Sequence, residues 1–258
     1  MKIHQETALL LEVVDLQERD RIVGFLTAEG GRRRGAARGA RTKFSRFAGS
    51  LQPLAKVELT WVEKEGRELA RIDDAELVRP AAPLQAELEG ILLGAYLAES
   101  ITAFTLEGDP APAFYRLLDS TLEALLAGAD RDFCARYFEV WLLRLSGLLP
   151  VPRECPLCGR LFEGEVVFLE DEAALVCGDC GRGERWLPVG PAELDFLRRS
   201  GRENLEKMGG TRWPPAALRN LEDLLGRIRR NYLEQELRSY QVMRETLAGL
   251  PAPEAGRG

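Results

Sequence analysis

The sequence predicts a multidomain α+β protein, and two changes of pattern along its 258 residues point to this class. Residues 1–80 read as short β-strands separated by turns, whereas apolar residues recur every three or four positions after Pro80. Four cysteines interrupt the helical pattern between residues 151 and 190. A small antiparallel barrel of the OB type closes the N-terminal strands without leaving exposed edges. We therefore predict an N-terminal OB-fold β-barrel followed by a mostly helical domain with a four-cysteine insertion.

The N-terminal strands are predicted from β-branched, apolar and alternating runs. Gly30 and Gly31 end the second run, and Val57, Leu59 and Trp61 share one face of the third. A turn then leads to a fourth run. The predicted strands cover 7–14, 21–27, 55–62 and 68–72, with room for one more.

The helices are predicted from apolar spacing of three and four residues. The last of them carries one continuous stripe of Leu218, Leu221, Leu225, Ile228 and Tyr232, which predicts a single long helix. The predicted helices cover 84–104, 113–126, 130–149, 191–200 and 216–247.

These elements divide the chain into five predicted segments. They are an OB domain at 1–80, the first part of a helical domain at 81–150, the cysteine insertion at 151–190, the second part of the helical domain at 191–250, and a disordered tail at 251–258.

The residue inventory excludes several classes of enzyme. His4 is the only histidine and lies near the terminus, so Ser-His-Asp, Cys-His and HExxH mechanisms lose their central residue. The chain has no Gly-Lys dipeptide for a phosphate-binding loop and no GxGxxG after a strand. We therefore predict neither an NTPase nor a dinucleotide-dependent enzyme, and we expect no small-molecule substrate.

Membrane association is not predicted either. The longest uncharged apolar run in the middle of the chain, at 90–98, has nine residues, whereas a bilayer span needs about 20. The N-terminus lacks the features of a signal peptide. We expect a cytoplasmic protein.

The cysteines form two CxxCG motifs with metal-binding spacing. Cys155 and Cys158 are separated by two residues, as are Cys177 and Cys180, and eighteen residues lie between the pairs. This spacing favours tetrahedral Zn²⁺ over two disulfides or a redox pair. Four thiolates close the coordination sphere, so we predict one structural zinc ion and describe the insertion as a four-cysteine zinc ribbon or knuckle.

Nearby arginines can offset the negative charge of a Zn²⁺ bound by four thiolates. Arg153, Arg160, Arg182 and Arg185 are close in sequence, and local charge compensation is favoured over nucleic-acid contact for them. The fifth cysteine, Cys134, falls on an apolar helix face and is predicted to lie in the core.

A concentrated basic segment stands out in a chain whose net charge is −6. Residues 30–57 contain no Asp or Glu, and glycine and alanine separate their cations. Small residues let a phosphate backbone approach, and guanidinium groups match phosphate oxygens. The predicted DNA-binding residues are Arg32, Arg33, Arg34, Arg38, Arg41, Lys43 and Arg46.

Two phenylalanines alternate with the last of these cations. Phe44 and Phe47 could stack on unpaired bases or fill the end of the barrel, and we favour the core for both.

At this point the order of motifs resembles the RecO recombination mediator family of bacteria. The matching segments are FLTAEGG at 25–31, ARGAR at 37–41, LQPL at 51–54, PVP at 150–152, the two CxxCG motifs, and LRSY at 237–240. The resemblance implies a non-catalytic protein that binds single- and double-stranded DNA, anneals complementary strands and helps to load RecA onto strands coated by single-strand-binding protein. It also implies RecR and single-strand-binding protein as partners, without marking their surfaces.

Two alternative functions remain open from the residues alone. A nuclease or RNA-modifying enzyme with a zinc ribbon could use Asp73 and Asp74, or the acidic run at 170–172, to hold Mg²⁺. A protein-interaction scaffold could use the arginines to bind an acidic partner.

Overall fold

The computed structural model describes residues 2–64, 66, 68–169, 172, 174–182 and 186–249. The predicted disordered tail at 251–258 lies outside these residues. None of the described helices is both long enough and apolar enough to cross a bilayer.

The N-terminal unit is a closed five-stranded barrel. Its strand order is β1-β2-β3-β5-β4, and β1 pairs with β4 to complete the circuit. All pairings are antiparallel except that of β3 with β5. The strands are β1 (Lys2–Leu16), β2 (Asp20–Thr27), β3 (Gly31–Ala37), β4 (Lys56–Glu63) and β5 (Ala70–Arg79).

The first half of the basic segment is a β-strand, which is not among the strands predicted from the sequence. Arg32, Arg33 and Arg34 lie in β3, which pairs with β2 from Gly31 to Ala37. Gly35 lies above Ile72, and a Cβ at this position would come within 2.8 Å of Ile72 Cγ1. Gly35 therefore fits the barrel wall closely, and the small residue at this position serves strand packing.

The barrel core consists of side chains that alternate along the strands. Phe25, Leu59, Trp61 and Ile72 are fully buried, and the edge of Phe25 contacts the Trp61 ring at a centroid distance of 5.5 Å. Phe47, in the segment after β3, is also buried in this cluster.

Helices pack around a second, larger core. The helices are α1 (Leu88–Phe104), α2 (Pro112–Leu126), α3 (Arg131–Leu145), α4 (Pro191–Arg199), α5 (Leu205–Gly209), α6 (Pro215–Leu233) and α7 (Arg238–Ala248), and a short 3-10 turn at Leu84–Ala86 precedes α1. Leu9, Leu26 and Leu54 from the barrel belong to this larger core, so the two units share apolar contacts.

The predicted long C-terminal helix is two helices. Glu234 adopts a left-handed conformation with φ of 58°, which ends α6, and the chain turns before α7 begins. Most of the predicted stripe is buried, but Tyr232 is 53 % exposed and stacks on Phe104 at 5.3 Å. The turn brings α7 against α1, where Glu99 accepts hydrogen bonds from the backbone N–H and hydroxyl of Ser239.

Ion pairs also join the barrel to the helical domain. Lys56 and Arg79 contact the two carboxylate oxygens of Asp119 on α2, at 2.7 and 2.8 Å. These side chains are 15–21 % exposed, so solvent screens the pairs only in part. The contacts fix the outer face of the barrel relative to α2.

Candidate metal site and nucleic-acid surface

The four cysteines of the two CxxCG motifs converge on one point. Their Sγ atoms all lie within 4.8 Å of one another, and no disulfide joins them. Cys177 ends β7 (Ala174–Cys177), which pairs with β6 (Val166–Leu169), and β6 also pairs with β8 (Trp186–Val189). The small sheet thus positions Cys177 of the second pair, and the four thiols together could hold one metal ion.

Local backbone geometry turns each CxxC pair inward. Gly159 has φ of 72°, a conformation that glycine adopts without strain, and its N–H donates to the Cys155 carbonyl. Gly181 repeats this bond to the Cys177 carbonyl, and a Cβ there would lie 2.3 Å from Val167. The glycine after each pair is therefore required by geometry.

The environment of Cys155 favours the thiolate that a metal requires. Burial opposes ionisation, but hydrogen bonds from nearby backbone amides, including those of Cys177 and Leu157, lower the pKa of Cys155 to about 6. A set of four sulfur donors suits Zn²⁺ in a structural rather than catalytic role.

The arginines expected to balance the thiolates are shared with an aspartate. Arg160 and Arg182 both pair with Asp179, at 2.5 and 2.8 Å. The pKa of Arg160 is raised mainly by Asp179 and further by Cys177 and Cys158, so this cation also interacts electrostatically with the cysteine site. Arg153 is exposed, and Arg185 lies outside the described residues.

Cys134 is confirmed as a core residue. It is fully buried on α3, and burial, with a smaller contribution from Asp130, raises the pKa of its thiol to about 12. It is therefore an inert neutral thiol and not a fifth ligand.

The seven predicted DNA-binding residues fall into two groups. Five of them point into solvent along the end of β3 and the segment that follows. We call these five the basic surface: Arg34, Arg38, Arg41, Lys43 and Arg46. Arg41 pairs with Asp15 at 3.3 Å, and the other four make no ion pair with any described residue.

Arg32 and Arg33 are engaged within the protein. Arg32 donates to the Thr105 carbonyl at the end of α1 and approaches Glu107 at 3.9 Å. Arg33 pairs with Glu63 at 3.0 Å and lies over the Trp61 ring. These two arginines hold the barrel together and join it to the helical domain, and they are less available to phosphate than the basic surface.

The two phenylalanines have opposite environments, so the prediction that both lie in the core is wrong for Phe44. Phe47 is 2 % exposed, whereas Phe44 is 91 % exposed with Lys43 over its ring at 5.7 Å. An exposed aromatic ring with a cation over it is suited to stack on a base.

Sequence reasoning missed two cations beside this surface. Lys64 follows β4, and Arg71 on β5 pairs across the parallel ladder with Ala36 of β3. No sequence signal places these two cations beside the basic surface, because a parallel pairing between distant strands has no local pattern.

The carboxylates considered for Mg²⁺ are bound within the protein. Asp73 accepts two hydrogen bonds from Arg71, at 2.6 and 2.8 Å, and Asp74 accepts one from the Ala75 N–H. In the acidic run at 170–172, positions 170 and 171 lie outside the described residues. Within the part of the chain that the structure describes, the four cysteines are the one cluster of three or more candidate metal ligands.

A closed OB-type barrel with an exposed basic surface, joined to a helical domain with a four-cysteine site, has the features expected of a nucleic-acid-binding protein. Comparison with known families is specific. The family described as Recombination protein O N terminal matches residues 1–81, and that described as Recombination protein O C terminal matches residues 85–241. The chain belongs to the RecO family.

Individual relatives support this assignment over almost the whole chain. A protein of Anaeromyxobacter sp. (strain K), named DNA repair protein RecO, is 32 % identical over 241 residues, which cover 93 % of this chain and 95 % of the relative. Proteins with the same name from Desulforamulus reducens and Pelotomaculum thermopropionicum are 31 % and 30 % identical, each over 94 % of both chains. The resemblance inferred from the short motifs is confirmed.

Proposed function

We propose that this protein is a non-catalytic mediator of recombinational DNA repair that binds single- and double-stranded DNA through the basic surface. The observation that carries the proposal is that one segment of the N-terminal domain of a RecO-family chain carries four exposed cations without an ion pair to any described residue, together with the exposed ring of Phe44. Contacts of these cations are made to phosphates, so binding tolerates any sequence.

Strand annealing follows from the same electrostatics. Two complementary strands repel each other through their phosphates, and a positive surface that holds both lowers this repulsion. Base pairing then proceeds without a nucleophile or general base. The family supports the further proposal that the protein acts with RecR and single-strand-binding protein, in the cytoplasm, to load RecA.

The metal in this proposal is one structural Zn²⁺ held by Cys155, Cys158, Cys177 and Cys180. When bound, the zinc ion would cross-link the two CxxCG turns and would take no part in a reaction on DNA. The protein's own residues orient the sulfurs through the small sheet and the two glycine turns.

Removing free cations of the basic surface should weaken DNA binding in a salt-dependent way. If five cations contact phosphates, log K for a single strand falls with log salt at a slope of about −3.5, or about −0.7 per contact. The variant Arg34→Ala/Arg38→Ala/Arg46→Ala should flatten the slope by about 2. Titration of a labelled homopolymer at several salt concentrations measures both slopes.

The matched control removes three exposed arginines from the helical domain, Arg116, Arg202 and Arg212. It changes net charge equally and should leave the slope within about 0.5 of the wild-type value. A basic-surface variant with wild-type affinity and slope would show that DNA binds elsewhere. Wild-type protein without salt-dependent DNA binding would favour the scaffold alternative.

Phe44 should contribute to binding of single strands but not of duplexes. Stacking of one base on an aromatic ring is worth about 1–3 kcal/mol, so Phe44→Ala should weaken binding to oligo-dT by roughly 5- to 150-fold. Duplex affinity should be unchanged, because paired bases cannot reach the ring. Fluorescence anisotropy measures both affinities.

Phe44→Trp is the matched variant, since it keeps a stacking surface and should bind the single strand as the wild type does. Thermal stability should be equal in all three proteins, because the side chain is 91 % exposed. Equal single-strand affinity of wild type and Phe44→Ala would refute the stacking role.

A further inference from the structure

A groove of about 660 Å³ lies beside the parallel seam between β3 and β5. We call it the seam groove. Its wall includes Ala36 from β3, Arg38 directly after β3, Ala70 and Arg71 from β5, and residues of the connection from β4 to β5. The volume falls within the range of about 300–1,000 Å³ that is typical of small-ligand sites.

A small residue lies at the centre of the seam groove, and cationic side chains lie beside it. Ala36 on β3 has a small side chain, and Arg38, directly after the strand, also lines the groove. Arg71 lies directly across the ladder from Ala36. Two arginines thus line the groove together with this alanine, whose small side chain leaves space at the surface.

The charges that line the seam groove favour an anion. Arg38, Lys64 and Arg71 are exposed, and Glu68 is the one acidic side chain among the described lining residues. Arg38 and Lys64 make no ion pair with any described residue. Arg71 binds Asp73 through Nε and one terminal nitrogen, so its other terminal nitrogen stays available.

The less exposed part of the lining is apolar. Leu69 is partly buried, and Val62 and Ala70 are buried at 4 % and 7 % exposure. A ligand that fits this arrangement combines a flat apolar part with negative charge at its edges. A nucleotide has both, whereas a simple anion such as phosphate would leave the apolar lining unused.

We infer that the seam groove receives one unpaired nucleotide of a bound single strand, with its base against Leu69 and Ala36 and its phosphates near Arg38, Lys64 and Arg71. The inference rests on the proposed function and adds a base-binding subsite with two residues, Lys64 and Arg71, outside the basic surface. Arg38 belongs both to the basic surface and to the wall of the groove, so the groove continues the path of phosphate contacts. A paired base exposes only its edges and cannot enter.

Filling the groove without changing charge tests this assignment. Ala36→Leu places a larger apolar side chain at its centre, on an outward-facing strand position. We expect about 10-fold weaker binding of the zinc-loaded full-length protein to an oligonucleotide containing 2-aminopurine, and loss of the change in 2-aminopurine fluorescence on binding. Affinity for a duplex of equal length should stay within about 2-fold.

Ala216→Leu is the matched control, since Ala216 is an exposed residue in the first turn of α6. It should bind both DNA forms as the wild type does. A second variant, Lys64→Gln, keeps the shape of the groove and should reduce the single-strand salt slope by about 0.7. If Ala36→Leu melts at a lower temperature than the control, the salt slope of Lys64→Gln tests the groove in its place.

Each other outcome overturns the inference. Wild-type single-strand affinity in Ala36→Leu, or equal losses for single strand and duplex, removes the unpaired-base subsite while the proposed function stands. An unchanged salt slope in Lys64→Gln would show that Lys64 does not contact a phosphate. Binding of a free nucleoside monophosphate as tightly as the oligonucleotide would assign the groove to a small ligand. If the wild-type protein binds no DNA at all, the proposed function fails together with the subsite.

Discussion

Replacing Cys177 by Ser is expected to release the metal and unfold the cysteine module, which we define as residues 152–189. Cys177 is 7 % exposed and sits at the end of β7, where it pairs with Val166 in β6. Losing one thiolate from four removes the closed coordination sphere, and structural zinc contributes on the order of 10 kcal/mol in small domains. Metal analysis should fall from one zinc per chain to about zero.

Hydrogen exchange locates the expected loosening. It should spread from the cysteine module into α4, because Arg198 donates to the carbonyls of Pro152 and Phe162. The barrel should keep its protection, since its core cluster contains no residue of the module.

Cys134→Ser provides the matched control for the metal. It removes a cysteine that is buried on α3 and outside the quartet, so zinc content should remain at one per chain. Full zinc content in the Cys177 variant would refute the four-cysteine site. Metal-free wild-type protein with unchanged stability would refute its structural role.

Elements with a local signal were predictable from the sequence. The helices at Pro112–Leu126 and Pro191–Arg199 agree with their apolar spacing to within a residue. The quartet of cysteines converges as its spacing predicts, because two intervening residues place both thiols of a pair on one side of a turn.

Elements that depend on distant contacts were not predictable. The strand Gly31–Ala37 has the composition of a loop, and it forms because β2 and β5 pair with it on either side. Phe44 and Phe47 look equivalent in sequence, yet the fold buries only the second. The helix breaks at Glu234, which adopts the left-handed conformation although it is not glycine. No sequence pattern marks this position.

A buried network of charges and tyrosines explains where the chain goes after this break. Arg229 on α6 is 2 % exposed and lies over the adjacent rings of Tyr96 and Tyr240, at 5.2 and 4.3 Å from their centroids. It donates to the Tyr96 hydroxyl, pairs with Glu236 at 2.7 Å and lies 3.6 Å from Glu139. The network thus links α1, α3 and α6 to the segment that leads into α7.

Ionisation within this network reflects its burial. Burial is the largest influence on Tyr96 and, together with Glu139, keeps the pKa of its hydroxyl well above the ordinary value, so the hydroxyl stays protonated. The pKa of the Arg229 guanidinium is raised, because Tyr96, Glu139 and Glu236 outweigh the effect of burial. Arg229 is therefore a permanent cation whose partners depend on it.

Replacing Arg229 by Met should destabilise the helical domain by about 3–5 kcal/mol, because Glu139 and Glu236 lose a buried counter-charge. Since one kcal/mol corresponds to about 2–4 °C for a chain of this size, the melting temperature should fall by roughly 6–20 °C. Arg230→Met is the matched control one residue further on, where the side chain is 50 % exposed and its ion pair is worth about 0–1 kcal/mol. Calorimetry of the two variants with bound metal compares them directly. Equal melting temperatures would show that the buried network contributes no more than a surface ion pair, and that apolar contacts alone hold α6 and α7 in place.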